Sequence, residues 1–163
     1  MHLRLIKSEL PQKACWSVIA GNGSGSVICL DFGRKLPRIK PLKNPTLTEE
    51  QRNYEGEYSL YIECAWRLQT KKQVLCSSTS SNMTGQDMLN GLSQLIGGQV
   101  VKVAVRALGG DLTIHFDNGL ILLVFADQGN EADDIDNYTY YSTEWVITNG
   151  SRSHISKQSR KVR

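Results

Sequence analysis

Apolar residues in this chain mostly alternate with polar ones in short runs, a period-two pattern that predicts β-strands. In residues 26–32, Ile28, Leu30 and Phe32 fall on one parity, with Val27, Cys29 and Asp31 on the other. From 57 to 69, Tyr58, Leu60, Ile62, Cys64 and Trp66 share a parity and read as one strand. Val101, Val103 and Val105 alternate with Lys102, Ala104 and Arg106, and Leu112, Ile114 and Phe116 point inward in 111–117. Asn118-Gly119 then predicts a tight hairpin of type I′, with both central residues at positive φ. Residues 120–125 are apolar throughout, which predicts a central strand covered on both faces, by a helix on one side. Stretches 14–20 and 137–148 supply further strands. A single helix is expected: Met88, Leu89, Leu92, Leu95 and Ile96 recur at helical spacing. Thr84 serves as its N-cap with Asp87 in the first turn, and Gly97-Gly98 as its stop.

The two halves echo each other. Ile28-Cys29-Leu30-Asp31-Phe32-Gly33 reads like Ile114-His115-Phe116-Asp117-Asn118-Gly119, an offset of 86, while Tyr61 and Trp66 match Tyr140 and Trp145 at an offset of 79. This predicts a first β unit over 1–76 and a helix plus second β unit over 77–149, sharing one core. A loose basic tail follows over 150–163. The stretch 33–56 holds Pro37, Pro41 and Pro45 together with Arg34, Lys35, Arg38, Lys40 and Lys43, and reads as a long exposed connection.

Composition changes little in this picture. The 163 residues suit one domain, or two small units on one core, and a net charge of +3 does not by itself imply nucleic acid. Cys15, Cys29, Cys64 and Cys76 have no paired metal-ligand spacing and read as reduced core residues. The first residues lack a signal-peptide apolar region and no run is long enough for a membrane span, so a cytoplasmic protein without cofactor or metal is expected.

Few residues suggest chemistry. The turn Gly21-Asn22-Gly23-Ser24-Gly25 leads into a strand, unlike a phosphate-binding loop, which opens a helix. The acidic run containing Glu131, Asp133, Asp134 and Asp136 lacks the glycine and terminal glutamate of a calcium loop. These four carboxylates are instead the expected partner-binding residues, steering a basic protein. Two alternatives stand beside that reading. One is a nucleic-acid-binding module using the basic loop 34–43 and the basic tail, although neither carries interleaved aromatics for base stacking. The other is an enzyme of unrecognised type built on a Cys29–His115 dyad, with no catalytic residues assigned.

Three segments carry a family resemblance: Leu95-Ile96-Gly97-Gly98-Gln99-Val100-Val101-Lys102-Val103, the hairpin around Phe116-Asp117-Asn118-Gly119, and Glu144-Trp145-Val146-Ile147. A short helix, L-x-G-x-x-V, an F-D-N-G hairpin and a final Trp strand resemble a broad group of small bacterial proteins often found as immunity proteins beside secreted toxins. The resemblance spans residues 92–147 and transfers no site residues. It implies a non-enzymatic toxin inhibitor that binds stoichiometrically. The expected fold is mainly β, an antiparallel sandwich or half-open barrel of two related units with one short helix.

Overall fold

The computed structural model describes residues 3–21, 23–127 and 136–150, together with the backbone of 154–157. It is mainly β, a sandwich-like pair of antiparallel sheets with three short helices among the described residues. The first half contains α1 (Arg4–Glu9), β1 (Cys15–Ile19), β2 (Ile28–Pro37), α2 (Glu49–Asn53), β3 (Tyr54–Ile62), β4 (Ala65–Gln69) and β5 (Val74–Ser77). The second contains α3 (Asp87–Ser93), β6 (Val100–Val105), β7 (Leu112–Phe116), β8 (Ile121–Phe125), β9 (Asp136–Tyr141), β10 (Trp145–Gly150) and β11 (His154–Lys157). Strand β11, in a stretch read from sequence as loose, pairs with β10.

Sheet 1 runs β1-β2-β3-β9-β10-β11 and sheet 2 runs β5-β4-β8-β7-β6. Each half therefore folds its first three strands into a meander and sends its next two to extend the other half's sheet. Exchanging the halves leaves the order unchanged apart from β11. The inward residues of both sheets, Leu30, Leu60, Ile114 and Leu122 among them, form one buried cluster.

Registers place the equivalence differently from the sequence echo. Val18 faces Leu30 as Val103 faces Ile114, and Cys15 faces Phe32 as Val100 faces Phe116. Both pairs of strands carry an irregularity at the same point, after Cys15 and after Val100. Leu30 thus corresponds to Ile114 rather than to Phe116. The echo had slipped by two residues, which preserves every side chain's face and so leaves the parity pattern intact. Trp66 is likewise not the counterpart of Trp145. Trp66 is buried on β4, its indole Nε1 donating to the Ser26 carbonyl at 2.7 Å, and its counterpart on β9 is Tyr138. Trp145 is only half-buried.

Four further expectations change. The apparent strand 57–69 breaks at 63–64, where the chain crosses from sheet 1 to sheet 2 without losing parity, and both amides there donate to the Asn137 carbonyl. Helix α3 begins after Gln86 and not at Thr84, since Gly85 sits at φ 78° and interrupts any earlier turn. The hairpin after β7 is not type I′. Gly119 donates to Phe116 and alone in the turn has positive φ, giving a type I turn closed by a left-handed glycine. Finally, α3 packs beside β5, and no described helix covers the outer face of β8.

Helices α1 and α3 end in matching turns. Gln12 donates to the Val100 carbonyl and Gly97 to that of Cys15, both at 2.7 Å; Cys15 donates to Gly98 and Val100 to Lys13, both at 2.9 Å. The turn needs a left-handed residue, which is Gly97 at φ 87° in one half and Gln12 at φ 69° in the other. A side chain in that region costs roughly 1–2 kcal/mol. Gly97→Gln should therefore lower stability in urea unfolding by about 1 kcal/mol, whereas Gln12→Gly should leave it unchanged or raise it.

Candidate functional site

The β2–β3 connection does more than link two strands. Thr48 caps α2 in a reciprocal box with Gln51, each side chain bonding the other's backbone amide at 3.1 Å. From that helix Gln51 reaches over β1, its Nε2 donating to Ser17 Oγ at 3.3 Å and the Val18 carbonyl at 3.2 Å. Arg38 donates back to the Gln51 carbonyl, and Lys35 pairs with Glu50. Residues 38–53 thus form a strap across one end of the outer face of sheet 1. Ser17, which faces outward, is 1% exposed as a result.

Beside the strap lies a cavity of about 180 Å³ lined by Cys29, Asp31, Arg38, Glu55, Ser59, Tyr61 and Tyr141. Register explains the grouping: Asp31, Ser59 and Tyr141 stand in one row across β2, β3 and β9, with Cys29 and Tyr61 in the next. Asp31 is 3% exposed although it sits on the outward parity. Its Oδ1 accepts from Ser59 Oγ at 2.6 Å and from the Gly56 amide at 3.1 Å. Gly56 is required for that approach, since a Cβ there would lie 2.9 Å from Asp31 Cβ and 2.5 Å from the Tyr58 carbonyl. Arg38 pairs with Glu55 across 3.4 Å, both nearly buried. Two carboxylates and one guanidinium leave the lining with a formal charge of −1.

A further carboxylate, Glu63, acts on the cavity-lining Tyr61. Burial raises the Glu63 carboxyl above its ordinary range, and the neighbouring Asp136 carboxylate raises it further. Burial also raises the Tyr61 phenol, with Glu63 adding to the effect. Of the four carboxylates expected to bind a partner, Asp136 is the one within the described residues, at the start of β9, and it does not line the cavity. Glu131, Asp133 and Asp134 lie outside the described residues, as do the side chains of the basic tail. The sequence reading missed the cavity itself, because Asp31 and Glu55 were assigned to a strand and to an exposed connection. An unpaired acid on the outward parity of β2 was the available signal.

Other arrangements are not assembled. Cys29 lies on β2 in sheet 1 and His115 on β7 in sheet 2, each on its sheet's outer face, so the core separates them and no dyad forms. Burial pushes the Cys15 and Cys64 thiols up to about 12 and that of Cys76 to about 11, far from thiolate chemistry at neutral pH. In the basic loop, Arg34, Lys35 and Arg38 each pair with a carboxylate, Glu57, Glu50 and Glu55 respectively. Among the described residues, no three His, Cys, Asp or Glu side chains are grouped to hold a metal, and no helix is long and apolar enough to cross a membrane. No protein-family model, curated protein or solved structure matches the chain.

Glu57 anchors the base of the strap. It takes Arg34 through the guanidinium and the backbone amide, both at 3.2 Å, with Lys13 at 3.9 Å. Burial alone would raise its pKa, but the Arg34 bonds and Lys13 outweigh burial and hold it below its usual value of 4.5. Its stabilising contribution is therefore complete above pH 4.5 and is lost as pH falls through the lowered folded value. Glu57→Gln should cost about 1 kcal/mol at pH 7. It should also flatten the acid limb of urea midpoints measured from pH 7 to 3.

Proposed function

We propose that the chain is a non-enzymatic binding protein that receives a basic side chain of a protein partner in the Asp31 cavity. In its sharpest form it is an immunity protein that neutralises a cognate toxin by stoichiometric binding. The observation that carries the reading is the Asp31 carboxylate, buried on an outward-facing row, with both of its hydrogen bonds on Oδ1 and its side chain lining a cavity of net negative charge. Desolvation strengthens an ion pair formed there relative to one at an open surface. Tyr61 and Tyr141 add phenol rings suited to an ammonium or guanidinium. The carboxylates Glu63 and Asp136, each within reach of the other's charge, add to the same negative field, which accelerates encounter with a cationic surface. A nucleic-acid role draws less support, because three of the five cations in the basic loop are already held by the protein's own carboxylates.

Asp31→Asn tests the reading. The amide oxygen can still accept from Ser59 and Gly56, so the melting temperature should stay within a few degrees. Affinity for a lysine- and arginine-bearing peptide, read by calorimetry, should fall at least tenfold, about 1.4 kcal/mol. Binding by the parent chain should also weaken on acidification from a pH above the usual 4.5, because Glu63 takes up its proton early. Undiminished binding by the variant would overturn the proposal. Tight oligonucleotide binding, with a log–log salt slope of about 0.7–0.9 per phosphate contact, would install the nucleic-acid reading instead.

A further inference from the structure

Among the described residues, no strap crosses the face of sheet 2 that corresponds to the strapped face of sheet 1. Where β2 and β3 are joined through residues 38–53, β7 and β8 are joined by the short turn 117–119. The outward residues on β8 are Ile121, Leu123 and Phe125, all half-exposed, at positions where a solvated antiparallel sheet carries polar side chains. Ala104 and Thr113 continue the Leu123 row across β6 and β7. A cavity of about 300 Å³ opens there, lined by these residues and Phe125, with the Arg106–Asp111 pair at one end. No described residue covers this face.

Its charge is mainly positive, the one lining carboxylate, Asp111, being paired with Arg106. Arg67 stands opposite Leu123, His115 opposite Ile121, and Lys102 opposite His115, with no carboxylate in those rows. Neither Arg67 nor Lys102 forms an ion pair among the described residues. Arg67 instead donates to Gln69 at 2.8 Å and lies over the Phe125 ring at 5.5 Å. A second copy stacked face to face would set one mainly positive surface against another. A nucleic acid would meet aliphatic side chains, with the aromatic face of Phe125 already taken by Arg67.

We propose that this face docks a second kind of protein partner, one presenting an apolar segment flanked by carboxylates. An apolar side chain of the partner fills the 300 Å³ cavity beside Leu123, and its carboxylates pair with Arg67 and Lys102. Burial of the apolar centre supplies affinity, while the cations select the partner and speed its approach. This surface is separate from the Asp31 cavity and does not depend on it.

The test is a titration of the isotope-labelled full chain with a synthetic peptide alternating Leu and Glu, followed by amide chemical shifts. Matched controls are a Leu–Lys peptide, an oligonucleotide and the chain alone at increasing concentration. The Leu–Glu peptide should move the amides of Arg67, Thr113, His115 and Leu123, with a salt-sensitive affinity. Arg67→Glu should weaken that binding at least tenfold at an unchanged melting temperature, and Leu123→Glu should abolish it. Asp31→Asn should leave it intact, so failure here and failure of the Asp31 cavity are told apart. The proposal is overturned if these amides do not move, or if the Leu–Lys peptide moves them equally. It is equally overturned if the oligonucleotide alone or self-association accounts for the shifts.

Discussion

Four backbone hydrogen bonds between residues 12–15 and 97–100 are the constraint on which the rest of the molecule depends. Each turn leaving a helix donates to the strand that follows the other helix, so neither half can place its first strand without the other. That reciprocity holds β1 and β6 in fixed register and positions the helix ends, with Leu10 and Leu95 both fully buried beneath them. Once those strands are set, the alternation of β2 and β3, and of β7 and β8, directs their apolar sides into one space between the sheets. The exchange of β4-β5 and β9-β10 then closes the core with side chains from both halves, Trp66 from one and Tyr138 and Tyr140 from the other. The halves meet along two strand seams, β3 with β9 and β4 with β8, and share one core, which favours cooperative unfolding over independent melting of either unit.

Departures from this two-fold pattern are where the chemistry collects. The strap of residues 38–53 is present in only one of the two corresponding connections, and it turns an ordinary outward sheet face into a half-open polar recess. Gln51 and Arg38 hold it down, and Glu57 secures its base. On the other sheet the same rows keep Ile121 and Leu123 where Ser59 and Tyr61 stand on sheet 1. One framework thus presents an acidic recess on one side and an apolar, cationic surface on the other.

Parity was legible in the sequence and register was not. Ile28, Leu30, Phe32, Ile114 and Phe116 are all buried as their alternation requires. A two-residue slip leaves that alternation untouched, so no pattern of apolar residues could separate the echo's offset from the true one. The same limit hid the crossing at 63–64, because the buried parity continues from Ile62 through Cys64 to Trp66 across two sheets. Helix α1 was invisible for a different reason. Its six residues have no side-chain cap, and it is held by burial of Ile6 and by the exit turn beyond it. The site was legible only as an isolated acid, Asp31, since its partners Arg38, Glu55 and Gly56 come from a connection whose path the proline and lysine content did not specify.

Asp31 is the residue least explained by folding alone. Keeping a carboxylate at 3% exposure on the outward side of a strand carries a desolvation cost of several kcal/mol unless fixed donors offset it. The chain supplies two donors to one oxygen, and it must place a glycine at 56 to let the backbone come near enough. The corresponding position in the other half is His115, half-exposed and without any such cradle, and that strand pairs equally well. The fold therefore does not require a buried acid at this point of the meander. What the acid adds is a directed negative charge in a shielded recess, and such a group gains most when a cation arrives to complete it.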